Sequence, residues 1–254
     1  MNYFDILQSF NLSGWHWLAV AFAVFVLGLS KAGIKGVGII IILILAFVFG
    51  EKASTGVLLP MLISADIIAV IYYNKHAQWD YIKKLMPAMV IGVLVGVYVG
   101  NDISEQLFKQ IMAIIIIGSV FIMFYTEKRQ SLIVPKNRWF AGIMGFLAGF
   151  STMIGNLAGP IANIYFLATR LPKNEFIGTA AWLFFIINLF KLPFHFFVWK
   201  TVTLETLVLN SVLIPAVCIG FFFGARIVKR ISNLNYRRFI LIVTAIGGVI
   251  MLFR

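Results

Sequence analysis

The chain has 254 residues, 61% of them hydrophobic and 12% charged, with a formal net charge of +12. A soluble core of this size needs far less apolar surface, so composition excludes a soluble globular domain, and apolar runs from end to end predict a polytopic α-helical membrane protein. The basic residues gather in a few short loops, the positive-inside pattern rather than a nucleic-acid surface, and the single Cys218 excludes an internal disulfide and a cysteine metal cluster.

Met1–Gly14 is short and polar-aromatic, with Trp15, His16 and Trp17 as an interfacial belt. Asp5 in place of a basic n-region argues against a cleavable signal peptide. Two apolar runs follow, Trp15–Leu27 and Ile39–Phe49, each about a dozen residues where a spanning helix needs ~20. Between them lies Gly28-Leu29-Ser30-Lys31-Ala32-Gly33-Ile34-Lys35-Gly36-Val37-Gly38, too rich in glycine for a helix interior. Broken backbone at membrane depth is tolerated only where it is buried in protein or lines a cavity. The stretch is therefore expected to form half of an anion site.

The run Ala53–Tyr73 spans next, with Pro60 early and Asp66 near its middle. A basic loop, Asn74–Lys84, holds Lys75, His76, Lys83 and Lys84. Leu85–Gly100 spans with Gly92, Gly96 and Gly100 at four-residue spacing, a stripe that admits a close neighbour. Asn101–Lys109 is a polar loop with Asp102 and Glu105, and Gln110–Tyr125 spans again. The longest polar connection, Thr126–Arg138, carries Lys128, Arg129, Lys136 and Arg138.

From there the pattern restarts. Trp139–Phe150 and Ile161–Thr169 are short apolar runs around a second break, Ser151-Thr152-Met153-Ile154-Gly155-Asn156-Leu157-Ala158-Gly159-Pro160. Arg170–Lys173 is a basic corner. Glu175–Phe197, Thr203–Ala225 and Phe239–Phe253 span, with Arg226–Arg238 basic between the last two. Gly28 and Ser30 align with Gly149 and Ser151, Asp66 with Asn188, and Gly96 and Gly100 with Gly220 and Gly224. The expected fold is an all-α polytopic membrane protein of two inverted repeats, each a broken or re-entrant helical hairpin plus three transmembrane helices. The repeats are residues 1–126 and 139–254, joined by a cytoplasmic linker at 127–138.

Three crossings per half invert the second half and put Lys75–Lys84, Lys128–Arg138, Arg170–Lys173 and Arg226–Arg238 on one face, the cytoplasmic one. Both termini then lie opposite, in a cell inner (plasma) membrane. Two short full crossings per hairpin preserve the same parity and stay open.

Lys31 and Lys35 are four residues apart among glycines, and a helix restarting at Gly36 or Gly38 aims free N–H groups into the break. Ammonium and N–H groups suit a compact oxyanion; the alternative is a short cytoplasmic turn. Ser30 stands beside them. Ser151, Thr152, Gly155, Asn156 and Gly159 supply neutral donors from the second break, or else simply pack helices closely. Pro160 suits the first turn of a restarting helix. Asp66 is the acid well inside a span, able to carry a proton or pair with a lysine. Asn188 is its neutral counterpart. Lys191 and His195, four apart around Pro193, either extend the anion pathway or sit near the interface beside Trp199.

The glycine break, the small-residue start Ala53–Gly56, the basic loop Lys75–Lys84 and the Gly92–Gly100 helix together resemble the sulfite exporter TauE/SafE family, also called the 4-toluene sulfonate uptake permease group. The similarity runs from about Trp17 to Phe253. Lys31, Lys35 and Val37 depart from the family's glycine cluster, as does Gly155–Pro160 in the second half. The resemblance implies an inner-membrane carrier for sulfite, organosulfonates or related small anions. The partners expected are that anion, the bilayer and, as an open alternative, a coupled proton; homo-oligomerisation is open too. No cofactor is expected, and no Walker A motif offers direct use of ATP.

Two other classes compete. An intramembrane serine enzyme needs Ser30 or Ser151 beside a base such as His195. A non-transporting scaffold needs a dry, packed centre, whereas a carrier needs a polar cavity holding Lys31 and the second break. In the carrier, Lys31→Ala is expected to weaken anion binding without unfolding.

Overall fold

The computed structural model describes residues 3–101, 138–169 and 171–232, together with residues 103, 104, 106–108, 110, 111, 114, 118, 235 and 236. Most of the expected span Gln110–Tyr125, the linker up to Lys136 and the closing span Phe239–Phe253 lie outside the described residues. So do Asp102, Glu105, Arg170, Arg237 and Arg238.

The described secondary structure is helical: α1 (Tyr3–Gln8), α2 (Gly14–Lys31), α3 (Gly38–Phe49), α4 (Glu51–Tyr73), α5 (Trp79–Asn101), α6 (Arg138–Gly155), α7 (Ala158–Ala168), α8 (Lys173–Pro193) and α9 (Leu204–Arg230). A turn of π-helix, Phe194–Val198, extends α8. Local chemistry sets several ends. The Ser13 hydroxyl accepts from the His16 N–H at the start of α2. Thr203 and Thr206 form a reciprocal capping box at the start of α9, and Lys229 and Arg230 lie in its last turn, beside the negative end of the helix dipole. Five of these segments are long and apolar enough to cross a membrane, namely Gly14–Lys31, Glu51–His76, Trp79–Asn101, Lys173–Val198 and Leu204–Arg230. The chain is a multi-pass membrane protein. Large apolar side chains such as Trp15, Phe47, Tyr98, Trp139 and Phe197 stand on its outside, as a lipid-facing surface requires.

Both breaks are shorter than the glycine pattern suggests. Helix α2 continues through Gly28, Ser30 and Lys31, so it is about 27 Å long. Gly28 is not a helix breaker here. A Cβ on it would meet the Val217 carbonyl of α9, so its bareness serves contact between helices. The first break reduces to residues 32–37, turning through Gly33 (φ +123°) and Gly36 (φ +97°), where a side chain would be strained. Helix α6 likewise continues through Ser151 and Gly155, and the second break is residues 156–157, turning at Asn156 (φ +57°). Pro160 falls in the first turn of α7, as expected. Two other ends move. Helix α5 begins at Trp79, so Lys83 and Lys84 are helical, and α9 runs on through Arg226, Lys229 and Arg230.

Each pair of helices around a break folds back on itself. Phe10 meets Phe49 at 5.9 Å and His16 meets Phe47 at 6.4 Å between ring centroids, so α2 starts and α3 ends together. Phe140 stacks on Tyr165 at 6.0 Å, so α6 starts and α7 ends together. The tip of the α2–α3 hairpin lies at the end of the bundle where α4 and α9 finish. The Tyr73 hydroxyl donates to the Ala32 carbonyl at 2.9 Å, and a Cβ on Gly33 would meet Val228. The tip of the α6–α7 hairpin lies at the other end, where the Asn156 amide donates to the Thr55 carbonyl at 3.0 Å near the start of α4.

Two close crossings hold the bundle. In the first, Gly28 faces the Val217 carbonyl and Gly220 faces the Phe25 carbonyl, joining α2 to α9. In the second, Gly149 faces the Met89 carbonyl and Gly92 faces the Phe146 carbonyl, joining α6 to α5. The contact that Gly220 makes is thus the counterpart of the one Gly92 makes. The alignment by sequence spacing put Gly220 beside Gly96, one helical turn away. Helices α4 and α8 pack together between these crossings.

Candidate functional site

Three lysines and one acid are buried among the described residues: Lys31, Lys35, Lys191 and Asp66. The surplus is positive. Lys31, at the last turn of α2, donates to Asp66 Oδ1 of α4 at 2.6 Å. Asn188 of α8 donates its amide to Asp66 Oδ2 at 2.7 Å. Asp66 and Asn188, counterparts by sequence, therefore bond each other across the central helix pair.

Lys35, in the first break, is 5% exposed and has no ion-pair partner among the described residues. Its Nζ lies 5.8 Å from the centroid of the Phe184 ring, with Lys31 Nζ at 5.1 Å from the same ring. An aromatic face attracts a cation only weakly. Two ammonium groups thus converge on one aromatic plate, and a single carboxylate answers one of them.

A cavity of about 80 Å³ opens beside these groups. Its walls come from both hairpins and the central pair. Ser30, Lys31, Lys35, Gly36 and Gly38 line it from the first hairpin, Thr152, Asn156 and Gly159 from the second, and Asn188 from α8. These nine residues, singled out on chemistry at three distant places in the chain, share one space.

The remaining sequence candidates stand apart from it. Ser151 donates to the carbonyls of Ala148 (3.2 Å) and Leu157 (3.4 Å), tying off the end of α6. Gly155 is buried at the same helix end and is not in the cavity wall. Asp66 lies behind Lys31, fully buried. Lys191 lies behind the second break and donates to Thr152 O (2.9 Å), Thr152 Oγ1 (3.1 Å) and Asn156 Oδ1 (2.6 Å). Its three N–H groups match three acceptors, so it braces the break. His195 pairs through Nδ1 with Thr201 Oγ1 at 2.8 Å and packs against Trp199. Ser151 is bonded to its own helix end and His195 to Thr201, and no hydrogen bond joins Ser30 or Ser151 to His195 among the described residues.

Two wall residues were not singled out from the sequence. Asn163, on α7, is 2% exposed, and its Oδ1 has no hydrogen-bond partner among the described residues. A buried polar atom without a partner is costly and calls for a ligand or water. Its signal was available, since it is the one amide in the apolar run Ile161–Thr169. Phe184 had no such signal, being one of 25 phenylalanines.

A model of the family described as Sulfite exporter TauE/SafE matches residues 18–251. The chain belongs to that family. No match was found among curated proteins or among solved structures. As a TauE/SafE member the chain is a membrane transporter, with a lipid bilayer around it and a small molecule as its substrate. In this TauE/SafE chain the glycine-rich break is a tip that carries Lys35 into the core.

Proposed function

We propose that the protein is a secondary transporter for small anions, with sulfite, organosulfonates or related sulfur-containing or organic anions as its substrates. Lys35 carries this reading. A buried ammonium without a counter-ion costs several kcal/mol, and an anion in the adjoining cavity offsets that cost. Lys31 and the Asn163 amide add donors. Thr152 Oγ1 accepts from Lys191, which leaves its own hydrogen free to point at the anion. A cavity lined by Lys31, Lys35 and residues of the second break, in place of a dry packed centre, favours a carrier over a scaffold.

The hairpins are the gates of an alternating-access cycle. Tyr73 and Tyr236 hydroxyls grip the Ala32 and Gly33 carbonyls at one end, at 2.9 and 2.6 Å. Lys191, donating to Asn156, and the Thr55 carbonyl, accepting from it, grip the second tip at the other. The two halves, residues 1–126 and 139–254, are inverted repeats about α4 and α8, and the matched crossings of α2 with α9 and of α6 with α5 support that relation. The basic loops face the cytoplasm of an inner membrane.

Radiolabelled sulfite counterflow in proteoliposomes tests the function, with taurine, toluenesulfonate, acetate and sulfate as competitors. Saturable exchange is the expected result, and the order of competition identifies the substrate class. Folded protein that exchanges none of these anions overturns the reading.

A further inference from the structure

Asp66 has no surface on the cavity, yet its partner does. Lys31 Nζ stands between two places, 2.6 Å from Asp66 Oδ1 behind the wall and 5.1 Å from the Phe184 ring in the wall. We propose that Asp66 is a proton-binding site, serving as internal counter-anion of the unloaded carrier and taking up one proton when a substrate anion claims Lys31. This inference rests on the transport reading above.

The charges around Asp66 decide the step. Facing it are Lys31 from α2, Lys35 from the first break and Lys191 from α8, with Asn188 as a neutral donor. Lys191 is committed to Thr152 and Asn156, and His195 lies one helical turn beyond it, paired with Thr201. Lys35 has no carboxylate and turns to the substrate. An anion in the cavity competes with Asp66 for the Lys31 ammonium, which reaches the cavity by rotating its own flexible stem. Asp66 then keeps one amide donor and no direct cation. A fully buried carboxylate in that position is neutralised rather than held as a bare charge.

The step balances simply. A proton from water on the open side adds to a carboxylate oxygen of Asp66, with no redox change. On the far side the anion leaves, Lys31 returns to Asp66 Oδ1, and the proton departs to water. One proton and one anion move in the same direction. The Lys31–Asp66 pair has the same net charge in both crossing forms: ammonium with carboxylate when empty, ammonium with substrate anion and carboxylic acid when loaded with a monoanion. The empty carrier can therefore recross. Exchange of anion for anion never requires the empty form to cross.

Asp66→Asn separates these two uses. The variant keeps the shape and the Asn188 contact but leaves Lys31 unpaired in the empty form. Its ratio of net sulfite uptake to sulfite counterflow should fall roughly a hundredfold below wild type. Wild-type net uptake should accelerate under a pH gradient alkaline inside, after subtraction of the leak in protein-free liposomes. Asp66→Asn with an unchanged ratio overturns the inference. So does wild-type net uptake indifferent to the gradient, a measurement that stands even if the variant fails to fold. Absence of wild-type counterflow is a different failure: it overturns the transport reading, and this inference falls with it.

Discussion

Lys31 and Lys35 look equivalent as residues, four apart in one glycine-rich stretch, but their surroundings make them opposites. Lys31 is paired with Asp66, whereas Lys35 has an aromatic ring and a cavity. Removing the second should therefore hurt binding and spare the fold. Lys35→Met is expected to raise the KM for sulfite about ten- to a hundredfold, the loss of one charge-assisted hydrogen bond. Its unfolding temperature in detergent should hold or rise, because a buried charge without a partner is gone. For Lys31→Ala the pairing with Asp66 adds an expected loss of stability to the loss of binding expected from sequence. The substitution leaves Asp66 without its cation, at a cost of about 3–5 kcal/mol. Thermal unfolding should show that loss, and Lys31→Met combined with Asp66→Leu should recover most of it, since two apolar groups replace the whole pair. A Lys31→Ala variant as stable as wild type would mean that the pair is not maintained.

Among the elements, the two hairpins depend on bare helix faces. Gly149 of α6 lies against the Met89 backbone and Gly28 of α2 against the Val217 backbone, so neither site has room for a side chain. Gly149→Leu should force α6 off α5, with an overpacking penalty of about 1–3 kcal/mol or more. It should also shift the second break away from Lys191. Lower thermal stability together with weaker sulfite exchange is the expected pair of readouts. Gly142, on the same helix with open space beside it, provides the control: Gly142→Ala should change neither. The glycines at these crossings were legible in the sequence as a stripe. Their register was not, because helical spacing repeats every turn, and only the facing carbonyls choose Gly92 over Gly96 as the counterpart of Gly220.

Across the molecule, the hairpins come in from opposite ends, and the described basic segments, Lys75–Lys84, Lys173 and Arg226–Arg230, gather at one of them. Lys75 is exposed near the end where the first tip lies, and Ala53 is exposed near the other. In a Cys218→Ser background, a membrane-impermeant maleimide applied to intact spheroplasts should label Ala53→Cys and spare Lys75→Cys. Labelling of Lys75→Cys alone would place the basic loops outside and reverse the assignment of the gates.

Residue order along the chain carried the class of the protein. Runs of apolar residues long enough to cross a bilayer, lysines set among glycines, and basic loops between spans are local properties, and local chemistry suffices to read them. The same holds for Asp66 and Asn188 as counterparts, since a repeat is a property of order. Packing decided the rest. The helical state of Ser30 and Lys31 depends on α9 closing against Gly28, and the pairing of Lys31 with Asp66 depends on α2 meeting α4. Lys191 finds its acceptors on a hairpin whose residues precede it by more than thirty positions. Which lysine is neutralised and which is left for a ligand follows from contacts between helices remote in the chain. Such contacts are fixed by the shapes of helix surfaces and have no signature in the spacing of residues along one helix.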